Sequence, residues 1–67
     1  MTYAEAFELE QAGQGRWTVL DRATATVAGR VLRTQSGFEL LDLRERVLGV
    51  FDSIDDGLRF LLRTARR

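Results

Sequence analysis

The chain has 67 residues, of which ten are basic and ten acidic, for a formal net charge of zero. A chain this short is one domain, residues 1–67, and buries only about 60% of the surface that its unfolded form exposes, so a narrow stability margin is expected. A hydrophobic fraction of 45% excludes disorder as the default, and the absence of cysteine excludes a disulfide framework and a thiolate metal site.

No apolar run approaches the ~20 residues of a membrane span, and no charged-then-apolar leader is seen, so the expectation is a cytoplasmic protein without a membrane partner. All ten basic residues are arginine. Arginine suits bidentate contacts at interfaces, but the same usage follows from a GC-rich genome, which is the favoured explanation.

In chain order, the first segment, "AEAFELEQ", carries two signals. Ala, Glu and Leu favour helix, and Thr2 with Glu5 has capping-box spacing. Phe7 and Leu9, however, alternate with Glu8 and Glu10, and "AGQG" before Trp17 suits a hairpin loop. The alternation predicts a strand.

The middle of the chain contains a weak internal repeat. "WTVLDRATATVAG", from Trp17, lines up with "FELLDLRERVLG", from Phe38, as aromatic, any, aliphatic, Leu, Asp, a short spacer, Val, any, Gly. Each unit reads as a β-hairpin in which Asp21 or Asp42 opens the turn and the glycine permits a bulge or a close approach in the return strand. The predicted strands are Arg16 to Asp21, Thr26 to Arg33, Phe38 to Leu43 and Arg46 to Phe51, with "TQSG", Thr34 to Gly37, joining the hairpins.

The last segment, "FDSIDDGLRFLL", places a cluster of acids before a glycine. An EF-hand calcium loop needs oxygen ligands at its first, third and fifth positions and a bidentate carboxylate at the twelfth. Counted from Asp52, the third position is Ile54 and the twelfth is Arg63, so that reading collapses. A helix fits instead: Ser53 as N-cap, Asp56 reaching back to it, and Asp55 and Asp56 in the first turn, where the dipole favours negative charge. Ile54, Leu58, Leu61, Leu62 and Ala65 form an apolar stripe, and Arg59, Arg63, Arg66 and Arg67 lie off it toward the C-terminal end. The fold class expected is therefore α+β: an antiparallel meander of about five strands with one C-terminal helix packed on one face. Leu58, Leu61 and Leu62 should meet the face bearing Trp17 and Phe38.

The chemistry available is limited. Without His, Cys, Lys or Asn the usual general base, thiol nucleophile, Schiff-base amine and imidazole ligand are missing. Asp21 and Asp42 are explained by turns, Asp55 and Asp56 by a helix start, and "GQG" at Gly13 to Gly15 does not open a helix as a phosphate-cradling loop would. No catalytic residue, metal or cofactor is expected.

Binding has more to work with. One parity of the strands carries Trp17, Val19, Val27, Val31, Phe38, Leu40, Val47 and Phe51, expected beneath the helix. The other carries Leu20, Leu32, Leu41, Leu43, Leu48 and Val50; a bulge at Gly29 or Gly49 would exchange members between the two sets. The second set reads either as leucines at edges and under loops or as a semi-apolar surface for a protein partner or a homodimer. Glu8, Glu10, Asp55 and Asp56 join Leu20, Leu32, Leu41 and Leu48 as the expected partner-binding set, the acids being able to compete for a basic groove or simply to serve solvation and the helix dipole.

The strands followed by Phe51, Ser53, Gly57, Phe60 and Leu61, in the pattern F-x-S-x-x-x-small-x-x-F-L, resemble the small sheet-plus-helix DNA-binding domains of plant ethylene-response factors and of tyrosine-recombinase arms, over roughly Trp17 to Leu62. That resemblance implies a basic sheet face set in the major groove, with Arg16, Arg22, Arg30, Arg33, Arg44 and Arg46 as contacts. The chain departs from it in its Leu-rich second face and its zero net charge. In size, mixed charge patches and lack of catalytic chemistry it also resembles small phage and mobile-element inhibitors such as anti-CRISPR proteins, which implies docking on a larger protein or complex. Protein binding is ranked ahead of nucleic-acid binding.

Overall fold

The computed structural model describes residues 2–65, so Arg66 and Arg67 lie outside it, as does the side chain of Ala65. Both signals in the N-terminal segment are used. Tyr3–Ala6 form a single helical turn, α1, closed where the Thr2 N–H and hydroxyl both donate to Glu5 Oε1 at 3.1 and 3.0 Å. The alternating Phe7–Gly13 then forms strand β1. The remaining elements are β2 (Arg16–Asp21), β3 (Thr26–Thr34), β4 (Gly37–Leu41), β5 (Val47–Phe51) and the helix α2 (Ile54–Ala65). The strands form one five-stranded antiparallel meander in the order β1-β2-β3-β4-β5. Gly37 turns the chain from β3 into β4 with φ +136°, a conformation that side chains rarely adopt.

Phe7, Val19, Val31 and Leu40 from the sheet meet Leu58 and Leu61 from α2 in the buried core. Trp17 and Phe38, with ring centroids 5.8 Å apart, pack against it, as do Tyr3 and Ala6 of α1. Each such buried side chain contributes roughly 1.5 to 3 kcal/mol, and both helices therefore cover the same face of the sheet.

The repeat is a structural repeat. Both hairpins open on an Asp whose Oδ1 accepts a backbone N–H two residues on, from Ala23 and from Arg44, each at 2.8 Å. Each then passes through a non-glycine residue with positive φ, Ala25 at 57° and Glu45 at 61°. Each return strand also carries one extra residue beside its glycine. Val19 pairs with Gly29 and Leu20 with Val27, leaving Ala28 over; Leu40 pairs with Gly49 and Leu41 with Val47, leaving Leu48 over.

Three expectations are corrected by these details. The bulges shift side-chain parity, so Val27 and Val47 leave the core set and turn to the other face, 37% and 54% exposed. β4 stops at Leu41, because Asp42 turns to cap the loop, and Leu43 sits in that turn, 66% exposed. At the start of α2 the Asp56 N–H donates to Ser53 Oγ at 3.2 Å as expected of an N-cap, but the Asp56 carboxylate runs along the helix to Arg59 at 3.3 Å rather than back to Ser53.

Candidate functional site

With α1 and α2 on one face, the opposite face of the sheet is open. Across it runs one row through all five strands, Glu10, Thr18, Arg30, Leu41 and Val47, each paired with the next. On one side of this row lie Glu8, Leu20 and Val27, and on the other Arg16, Leu32, Glu39 and Val50. The row and its flanks mix apolar with charged side chains. Between Arg16, Thr18, Arg30, Leu32, Leu41 and Glu45 the surface dips into a hollow of about 490 Å³.

This arrangement brings together Leu20, Leu32, Leu41, Glu8 and Glu10 of the expected partner-binding set. Leu48 lies at the β5 bulge, 37% exposed. Asp55 and Asp56 do not join them, since they stand at the start of α2, which packs on the covered face. Reading by parity missed Val27 and Val47 as members of the open face. The available signal was the pair of glycines at equivalent repeat positions, which marks two bulges together rather than one.

Arg16 and Arg30 line the same hollow on the open face, but the other arginines do not join them. Arg22 is held at the α1–β1 junction, its Nε donating to the Ala4 and Phe7 carbonyls at 3.1 and 3.2 Å and its Nη1 meeting Glu8 at 3.4 Å. Arg30, on the open face, pairs with Glu45 at 3.1 Å. Arg33 pairs opposite Phe38 and so has the parity of the covered face. Arg44 and Arg46 lie in the β4–β5 turn, where Arg46 Nε donates to Asp42 Oδ2 at 2.8 Å.

Asp42 accepts so many donors that its carboxyl is held below the ordinary range, first by the Arg46 N–H and further by the Arg46 guanidinium and the Arg44 N–H. Glu5 is lowered in the same direction by the Thr2 N–H and hydroxyl. Tyr3 is raised, first by burial and then by the Asp55 carboxylate, with Arg59, 5.3 Å from its ring centroid, opposing.

Among the described residues no group of three or more His, Cys, Asp or Glu is placed to hold a metal ion, and no helix is long and apolar enough to cross a membrane. Comparison with family models, with curated proteins and with solved structures finds no match to this chain.

Proposed function

We propose that the chain is a non-catalytic protein-binding module that docks on a larger protein through the open face of its sheet. The observation that carries this reading is the composition of that face. Leu20, Val27, Leu32, Leu41 and Val47 stand on it without a covering helix, and Arg30 among them is already held by Glu45 at 3.1 Å. A mixed apolar and charged surface of this kind suits a protein partner, whereas a phosphate-tracking surface needs arginines free to release counterions. Zero net charge supports the same ranking. Inhibition of a larger complex is one form such docking takes, with Glu8 and Glu10 beside the leucines supplying negative charge for a basic groove.

The partner is found by pull-down from the native host with mass spectrometry, and the face is tested on the recovered complex. Leu41→Arg or Leu20→Arg abolishes association while the fold persists, because a charge at an interface centre is desolvated without a counter-ion. Raising the salt has little effect. A recovered duplex whose affinity falls with salt, by a slope of about 0.9 per phosphate contact, together with indifference to Leu41→Arg, replaces this reading with DNA binding.

A further inference from the structure

The charges on the open face fall into two groups. Glu8 and Arg30 are already paired, with Arg22 at 3.4 Å and with Glu45 at 3.1 Å. Glu10, Arg16 and Glu39 are in no ion pair among the described residues. Glu10 belongs to the edge strand β1, where a charged side chain keeps the strand from pairing with another chain. That purpose does not extend to Arg16 and Glu39, which stand on the interior strands β2 and β4.

These two share one row of the face. Arg16 pairs with Leu32 and Leu32 with Glu39, so a cation and an anion flank a leucine. Two strand spacings, roughly 10 Å, separate them. Glu39 is half-buried, and what hydration it has lost is replaced by no counter-ion of its own chain. Beside the row, Leu32 and Leu41 line the hollow with Arg16 at its rim.

We propose that the partner of the open face docks with an acidic and a basic side chain about 10 Å apart and an apolar side chain between them. The acid meets Arg16, the apolar group enters the hollow between Leu32 and Leu41, and the base meets Glu39. This inference rests on the docking reading above and names the chemistry of its partner. Charge pairs of this kind decide which partner is accepted, and in which orientation, more than how tightly it is held. Enclosed beside apolar contacts, they are screened by salt less than exposed pairs are. A second copy of this chain, turned about an axis along β3, would also set Arg16 over Glu39. It would at the same time set Arg30 against Arg30, like charges opposed at the centre of the interface, so a different protein fits the face better.

Selection of a displayed random peptide library on the full chain tests this. The peptides recovered should carry an acid and a base on either side of an apolar residue and should fail to bind the Leu41→Arg chain. Arg16→Glu alone and Glu39→Arg alone, each with an unchanged circular dichroism spectrum, should lower their affinity roughly tenfold or more. Reversing the peptide's acid should restore binding to Arg16→Glu, and reversing its base should restore binding to Glu39→Arg. Such rescue does not follow from a merely structural role for either residue. Peptides that need Leu41 but tolerate both charge reversals overturn this inference and leave the docking reading standing, whereas peptides indifferent to Leu41→Arg overturn both. An empty selection overturns the inference. So does a chain that sediments at twice its 7.6 kDa mass and returns to a monomer on Arg16→Glu, since a second copy is then the occupant.

Discussion

The two hairpins, β2–β3 and β4–β5, solve the same local problem with the same residues and meet different surroundings. Trp17 and Phe38 occupy equivalent positions and pack on each other, Val19 and Leu40 are 0% and 1% exposed, and Leu20 and Leu41 pair with Val27 and Val47 on the open face. The aspartate turn, the positive-φ residue and the bulge before glycine recur in both. What differs is that β3 has a neighbour on each side and β5 has only β4. Turn chemistry and bulges are thus written locally, while exposure also depends on place in the sheet: Val27 of β3 is 37% exposed, whereas its counterpart Val47 of β5 is 54% exposed.

The largest effects should separate the two faces within each hairpin. Leu40→Ala removes a side chain wholly enclosed by the sheet and α2 and should cost about 2 to 5 kcal/mol, much of the stability of so small a domain. Val27→Ala and Val47→Ala, at the bulge-shifted positions, should stay within about 0.5 kcal/mol of the parent. Thermal or denaturant unfolding measures all three. A Val47→Ala variant as damaged as Leu40→Ala would return Val47 to the core and remove the second bulge.

The next effect sharpens the contrast between the two return strands. A Cβ at Gly29 would lie 2.7 Å from the Leu41 carbonyl oxygen, which belongs to the neighbouring strand's backbone and cannot move alone. At Gly49 the nearest atom is the Phe51 ring at 3.1 Å, a side chain with room to rotate. Gly29→Ala should therefore destabilise by about 1 to 3 kcal/mol and Gly49→Ala by less. Equal losses would mean that β5 is held as tightly as β3.

Much of this pattern was legible in the sequence because it rests on local chemistry. Asp21 and Asp42 announce their turns, Ser53 announces a cap, and the alternation of Phe7 and Leu9 with glutamates announces a strand even behind a helix-forming start. What was not legible depends on neighbours. Gly29 and Gly49 permit bulges, but whether the extra residue falls before or after them is decided by the partner strand, and that decision moves Val27 and Val47 across the sheet. The splitting of the acidic residues, Glu8 and Glu10 on the open face and Asp55 and Asp56 on the covered side, likewise follows from where α2 docks, which no spacing records. The role of Arg22 was hidden for the same reason, since its acceptors belong to a segment 15 and 18 residues away.

The smallest expected effect distinguishes the two turns. Asp21 Oδ1 accepts the Ala23 N–H, whereas Asp42 accepts from the Arg44 N–H, the Arg46 N–H and Arg46 Nε, at 2.8, 2.9 and 2.8 Å. Those donors, the Arg46 N–H foremost, favour the charged carboxylate and lower the pKa of Asp42 in the folded chain. A lowered folded pKa means that the ionised Asp42 adds stability in full above the ordinary carboxylate value of about 3.9 and loses it as pH falls through the folded value. Because the turn is exposed, solvent screens the interaction and the contribution should be modest. Asp42→Asn keeps an acceptor for the backbone N–H groups but loses the charge toward Arg46, so it should unfold at a lower temperature than the parent at neutral pH. That gap should narrow as the pH falls through the lowered folded pKa of Asp42. Asp21→Asn, with one backbone donor at stake, should show a smaller gap at neutral pH. A gap at Asp42 that persists unchanged into acid would show that the geometry of the turn, and not the charge on its aspartate, is what the second hairpin depends on.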